Sequence, residues 1–366
     1  MGGPRLVPDA SERSNARTFC GEVPWRLISA LARGEEVSAC YIVRDARRQE
    51  AKNGKDYLRL QLADGTGVID AMVWEDVDRW EPICAVDAIV GVRAKVGSYQ
   101  DRLQLSITLV EPLRPEAEEM EHLLQASPRP REAMEKELDR IISSIVDPGL
   151  LKLVKRCLGR GTESGRAFRV HPAAKRNHHA YLCGLLEHTL SVVQLADKLG
   201  RHYVGQGFEV DRDLLVAGAL LHDLGKVREL KSLPASGYTN EGQLLGHIVL
   251  GIQIVERESA GIQELDPDRL LLLQHLIASH QGKPEWDSPK VPQLVEGLIL
   301  HYADDLDAKL NQVRTLLDGV GTGEWSPYDR NLARSFFQPP RLRRSNDGEA
   351  DESETAAEMV MDLFPR

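Results

Sequence analysis

A chain of 366 residues, 42% of them hydrophobic, exceeds one ordinary core and fits two folded domains with tails; its formal net charge of −10 argues against a simple nucleic-acid coat but leaves nucleic acid open as a substrate. No run of about 18 apolar residues occurs, and the opening Met1-Gly2-Gly3-Pro4-Arg5 carries no apolar leader, so neither a membrane span nor a secretory signal is expected and a cytoplasmic location is. The cysteines Cys20, Cys40, Cys84, Cys157 and Cys183 form no CxxC pair, which argues against a structural zinc knot and a disulfide framework and suits small buried residues in a reducing compartment.

Residues 1–17 are polar and aperiodic and read as a flexible N-terminal arm. From Glu36 the pattern has period two. Val37–Val43 predicts a strand, Arg44–Lys55 a charged connection ending in the hairpin signal Asn53-Gly54, and Tyr57–Leu62 a second strand. Asp64-Gly65-Thr66-Gly67 turns the chain into Val68–Trp74, and Ala88–Val96 and Arg102–Ile107 flank a turn at Gly97-Ser98. Five short strands predict a closed β-barrel over residues 18–113, with the OB-fold as the leading member of that class. Tyr57, Trp74 and Tyr99 are candidates for stacking on unpaired bases, the alternative being that they fill the barrel core. Lys55, Arg59, Arg93, Lys95 and Arg102 suggest a groove, diluted by Asp56, Asp64 and Asp101.

Residues 114–130 read as a linker, with Ser127-Pro128-Arg129-Pro130 as its hinge. From 131 to 335 the spacing is helical, over Arg131–Ile145, Leu150–Leu158, His178–Leu199, Asp213–Leu221, Leu244–Glu258, Leu270–Ser279 and Pro292–Leu317. Residues 336–366, with Asp347, Glu349, Asp351, Glu352 and Glu354, read as a disordered acidic tail. The fold class is thus multidomain α and β: a five-stranded OB-fold barrel, then an all-α domain.

The chemistry concentrates in the helical half. Leu220-Leu221-His222-Asp223-Leu224-Gly225-Lys226 places an imidazole and a carboxylate side by side where an apolar helix stops. Burying that carboxylate unpaired would be costly, so a metal ion or the Lys226 ammonium must meet it. His188, His247, His280 and Asp304 likewise interrupt apolar helices, and an inward-facing cluster explains them together. For His275 and His301, ligation stands beside capping or hydrogen bonding to a ligand. His122, His171 and His202 lie in polar surroundings and are expected at the surface. Lys175 and Arg176 precede the His188 helix as candidate phosphate contacts, with solvated surface charge as the alternative. Imidazole and carboxylate donors suit manganese, iron, cobalt or zinc alike.

The order His188, His222-Asp223, Asp304 resembles the HD superfamily of metal-dependent phosphohydrolases, and His247 and His280 resemble the extra ligands of its two-metal members. Asn177-His178-His179-Ala180-Tyr181, Gly184–Thr189, Glu241–Ile248 and Ser279-His280-Gln281-Gly282 with Ser288-Pro289 are similar to the YhaM-type 3′-to-5′ exoribonucleases, which also carry an N-terminal OB-fold. The resemblance covers residues from about 20 to 315. It implies a first ion on His188, His222, Asp223 and Asp304, a second on His247 and His280 with Asp223 shared, and Mn²⁺ as the metal. It also implies catalytic roles for Asp223 and Lys226, and removal of nucleoside monophosphates from single-stranded RNA, with single-stranded DNA and homo-oligomerisation left open. One departure stands out: the family usually has a second histidine where this chain has Gln281. The alternatives are an HD phosphohydrolase of nucleotides or cyclic dinucleotides with a regulatory barrel, and a nucleic-acid-binding protein whose catalysis is impaired.

Overall fold

The structure, a computed structural model, describes residues 26–100, 102–113, 123–124, 127, 129–174, 181–233, 235 and 237–340. The expected N-terminal arm, Lys175, most of the linker and most of the acidic tail lie outside them.

Strands β1 (Glu36–Glu50), β2 (Asp56–Asp64), β3 (Gly67–Val73), β4 (Ile89–Tyr99) and β5 (Arg102–Pro112) close a barrel in the order β1-β2-β3-β5-β4. Only β3 and β5 run parallel. This is the expected OB arrangement. Alternation turns Leu58, Leu60 and Leu62 of β2 and Ile69, Ala71 and Val73 of β3 into the barrel, against Tyr41, Val92 and Leu105. Each buried leucine contributes about 2 kcal/mol, so a one-residue slip that exposed all three would undo the strand. A single-turn helix, α1 (Val77–Trp80), adds Val77 and Trp80 to this core.

One expectation is corrected here. The charged stretch Arg44–Glu50 is not a connection but the second half of β1, because Asp45–Glu50 pair with Gln61–Asp56 of β2. A register shift between Val43 and Asp45 bends the strand around the barrel. The expected hinge is also tied down where it is described. Leu123 and Leu124 are buried with Cys40, Ile42 and Leu113, the Ser127 amide donates to Leu182 O, and Arg129 pairs with Glu137 at 2.5 Å.

The helical part comprises α2 (Arg131–Ser143), α3 (Pro148–Leu158), α4 (Glu163–Val170), α5 (Gly184–Gly205), α6 (Arg212–Leu221), α7 (Lys226–Glu229), α8 (Asn240–Ser259), α9 (Pro267–Ser279) and α10 (Val295–Leu317). Several begin where the sequence offers an acceptor side chain: Asp147, Thr162, Asp211, Thr239 and Asp266 each cap an orphan amide. Thr162 thereby starts α4, a helix that the periodicity did not predict. Residues 178–180 of the expected His188 helix lie outside the described residues. The all-α region was expected through residue 335, yet the last helix ends at Leu317, and residues 318–340 carry only isolated bridges such as Trp325–Phe337. His171, expected at the surface, is 2% exposed. It caps the end of α4, its carbonyl accepts from the Leu185 amide of α5, and burial lowers its pKa.

α6 and α9 pack closely. A β-carbon on Gly218 of α6 would come within 2.4 Å of the Leu276 side chain on α9, so glycine lets the two helices approach without moving that leucine. The C-terminal ends of the two helices thereby meet. No helix among the described residues is long and apolar enough to cross a membrane.

Candidate metal centre

At those two ends stand His222 and His280. In each ring Nδ1 lies 2.8 Å from the carbonyl three residues back, Ala219 O and Ile277 O. A carbonyl only accepts, so Nδ1 carries the proton and Nε2 keeps its lone pair for the centre. Two helix C-termini also direct the negative ends of their dipoles here, which favours a cation.

His188, in the second turn of α5, reaches the same point. Its Nδ1–H donates to Asp307 at 2.7 Å, and its Nε2 lies 3.3 Å from His222 Nε2 and 3.1 Å from Asp304 Oδ1. Asp304 and Asp307 are three residues apart on α10, so one helix face supplies a donor to the cluster and a brace to His188. Ser191 in turn donates to Asp307. Asp223 divides its carboxylate. Oδ2 is 3.4 Å from both His188 Nε2 and His222 Nε2, while Oδ1 is 3.6 Å from His247 Nε2 and 3.8 Å from His280 Nε2.

His247 gets there through a break in α8. Gly246 adopts φ +70°, a left-handed conformation that ends one helical segment and lets His247 begin the next. Both the amide and the ring Nδ1–H of His247 donate to Glu229 Oε1, at 3.0 and 3.2 Å. Gly225 is needed for the same packing, since a β-carbon there would lie 1.9 Å from His247 O.

The donor atoms of His188, His222 and Asp304 all fall within 4.8 Å of one another, and so do those of Asp223, His247 and His280. Burial works against a charged His188, yet hydrogen bonds to Asp223, Asp304 and Asp307 outweigh it and hold its pKa well above the ordinary value. Burial likewise opposes a charged Asp223, and Lys226, whose Nζ sits 2.6 Å from Oδ2, with His222 holds it well below the usual carboxylate range. Asp304 is lowered by His188 and His222 against the same burial. Burial and the neighbouring His222 push His280 down to about 3, which keeps it a neutral imidazole. The cluster therefore draws in positive charge through Lys226 and a proton on His188. Four imidazoles and two carboxylates arranged this way fit two divalent transition-metal ions.

All six residues expected as ligands are thus gathered. His301 stands behind them, its Nδ1–H donating to His280 O at 2.8 Å. His275 does not join: it turns to the loop before α10, where its Nε2 accepts from the Gln293 amide at 3.1 Å. The sequence reading missed Asp307, Glu229 and the contact between Gln281 and His247. Spacing from Asp304 could have flagged Asp307; nothing local marks Glu229. Two cavities meet at the centre, of about 220 and 830 Å³, and Lys226 and Gln281 line both.

On the barrel, Tyr57 and Trp74 stack with centroids 4.7 Å apart and planes at 27°. Neither belongs to the core; they lie on the outer face of β2 and just past β3, with Trp74 49% exposed. Tyr99 ends β4 and is also exposed. Arg59 is engaged by Asp70, and Arg48 by Asp56, Asp78 and Glu81.

Fold and site define a protein of two parts, an OB-fold barrel and a metal-dependent HD domain whose histidines and aspartates form two groups that could hold metal ions. Family comparison agrees: the HD domain matches residues 185–309 and the OB-fold nucleic acid binding domain residues 39–113. The chain belongs to the YhaM 3′-5′ exoribonuclease family. It is 36% identical over 310 residues to the 3′-5′ exoribonuclease YhaM of Bacillus licheniformis, covering 84% of this chain and 96% of the relative. The YhaM of Bacillus subtilis (strain 168) is 37% identical over the same shares.

Proposed function

We propose that this protein is a metal-dependent 3′-to-5′ exoribonuclease that shortens single-stranded RNA to nucleoside monophosphates, with Mn²⁺ as its metal and the cytoplasm as its compartment. The observation that carries the reading is the split carboxylate of Asp223, one oxygen toward His188 and His222 and the other toward His247 and His280. A carboxylate set between two groups of imidazoles suits the two-ion centre of a phosphodiester hydrolase.

His188, His222, Asp223 and Asp304 would hold one ion, and Asp223, His247 and His280 the other. When bound, such ions supply Lewis acidity toward a phosphoryl oxygen and lower the pKa of water. The chain does the rest. Asp307, Glu229 and the carbonyls of Ala219 and Ile277 fix the imidazole rings and their tautomers. Lys226, lining both cavities, offers an ammonium to a phosphoryl oxygen. No hydroxyl or thiol side chain lines the smaller cavity among the described residues, which supports direct attack by water over a covalent enzyme intermediate. The Tyr57–Trp74 stack on the barrel's outer face, with Trp74 exposed, suits sequence-tolerant stacking of unpaired bases, which extends to single-stranded DNA as a second polymer.

A time course on RNA labelled at its 5′ end tests this, with Mn²⁺ or chelator, using wild type and the His222→Ala, Asp223→Ala double variant. The expected result is a ladder shortening by single nucleotides only in the Mn²⁺-loaded wild type. An unchanged band with Mn²⁺ present, or equal shortening by the double variant, overturns it.

A further inference from the structure

Resting on the two-ion reading above, the structure assigns Gln281 as a further ligand of the second ion: its carboxamide oxygen completes the set formed by Asp223, His247 and His280. The backbone around it is clamped. The Gly282 amide donates to Ser279 O at 2.9 Å, and His301 holds His280 O. Gly282 adopts φ +78°, and a β-carbon there would lie 2.2 Å from the His301 ring. Gln281 therefore has a fixed root beside His280, and its freedom is that of its own side chain.

The amide end sits where a ligand belongs. Its nitrogen is 3.3 Å from His247 Nε2, and its Oε1 is buried without a hydrogen-bond partner among the described residues. A buried carbonyl left unmade costs about 1–3 kcal/mol, so the orientation with oxygen idle needs a reason. Because His247 gives its Nδ1 proton to Glu229, Nε2 presents a lone pair, and without a cation only a donor can face it. The Gln281 N–H fills that role. A cation on His247 takes the lone pair away, and the N–H then faces positive charge with nothing to accept it. The terminal torsion of glutamine is soft, and half a turn exchanges nitrogen for oxygen at the same place. The idle oxygen thereby becomes a donor to the ion.

The chemistry of the exchange also has a direction. A neutral amide oxygen is a harder donor than imidazole, so it tilts this half of the centre toward Mn²⁺ and Mg²⁺ and away from Zn²⁺ and Co²⁺. A Gln281 that only steadied the His247 ring would lower affinity for every ion alike and leave the preference among them untouched.

The test titrates the metal-free full-length chain with Mn²⁺ by calorimetry and follows the spin coupling of the two ions by electron paramagnetic resonance. Wild type is expected to take two ions. Gln281→Ala should keep the first at unchanged affinity, which also reports correct folding, and weaken the second by at least about tenfold, the lower end of what removing even an outer partner of a metal site costs. Gln281→Glu should bind the second ion at least as tightly as wild type, and Gln281→His should raise the affinity for Co²⁺ relative to Mn²⁺. Unchanged binding of both ions by Gln281→Ala, or a second ion in Gln281→Glu as weak as in Gln281→Ala, overturns the assignment. A wild type that takes fewer than two ions overturns the two-ion reading itself, and this ligand with it.

Discussion

Asp307 shows how much one side chain outside the ligand set can decide. It lies 119 residues from His188 in sequence, yet its carboxylate accepts the His188 Nδ1–H at 2.7 Å and so fixes which nitrogen faces the centre. Asp307→Ala removes that brace from a buried ring. We expect Mn²⁺ affinity to fall about 10–100-fold, with little change in binding of RNA by the metal-free protein, as calorimetry and fluorescence anisotropy would report. Loss of RNA binding with Mn²⁺ affinity intact would refute it. The same residue carries a pH dependence. Three carboxylates hold the His188 pKa well above its ordinary value, so at neutral pH the metal-free ring is an imidazolium. An ion needs the Nε2 lone pair, so its uptake must expel that proton, and acid must oppose uptake. Affinity should fall about tenfold for each pH unit per proton displaced. Calorimetry at pH 7 in buffers of different protonation heat should register release of about one proton for each chain loaded, whereas heats independent of buffer would refute it.

At the scale of elements, the centre is a meeting of ends: the C-termini of α6 and α9, the early turns of α5, the break in α8 and one face of α10. The barrel works by faces instead. β2 and β3 turn their leucine and alanine side inward and leave Tyr57, Arg59, Met72 and Trp74 on the outer side, where Trp74 of the Tyr57–Trp74 stack is exposed. Trp74→Ala should weaken binding of a fluorescent single-stranded RNA by about 1–3 kcal/mol, the worth of one stacked base, and leave Mn²⁺ affinity as it was. Unchanged RNA affinity would remove the stack from the interface. The elements also explain what could be read in advance. His188, His222, His280 and Asp304 were legible because each is polar inside an apolar helix, and the barrel was legible because its alternation is clean from Tyr57 to Trp74. Gln281, Glu229 and Asp307 act only through residues brought near by folding, and no local pattern carries that. Arg44–Glu50 misled because strand pairing with β2, not hydrophobicity, makes it a strand. His171 misled because polar neighbours in sequence are not neighbours in space: the join of α4 to α5 buries it.

Over the whole molecule, charge poses the largest puzzle, because a net charge of −10 is unusual for a chain that would hold a polyanion. Pairing within the barrel sharpens it. Arg26 is held by Glu35, Arg44 by Asp87, Arg47 by Asp45, Arg48 by three carboxylates and Arg59 by Asp70. Each such arginine would have to exchange a carboxylate for a phosphate, which gains little. Cations such as Lys55, Lys95 and Arg102, without an ion-pair partner among the described residues, are what remains to displace counterions. The grip on RNA must then come mainly from stacking on the barrel and from the metal centre, both weakly sensitive to salt. A single-stranded ligand loses about 0.7 of a logarithmic unit of affinity per logarithmic unit of salt for each phosphate neutralised. Three or four such contacts predict a slope of only about −2 to −3 for metal-free protein on a long single-stranded RNA, measured by anisotropy across a salt series. A slope steeper than about −5 would mean that more cations face the RNA than the barrel leaves available, and that the holding surface lies elsewhere on the chain.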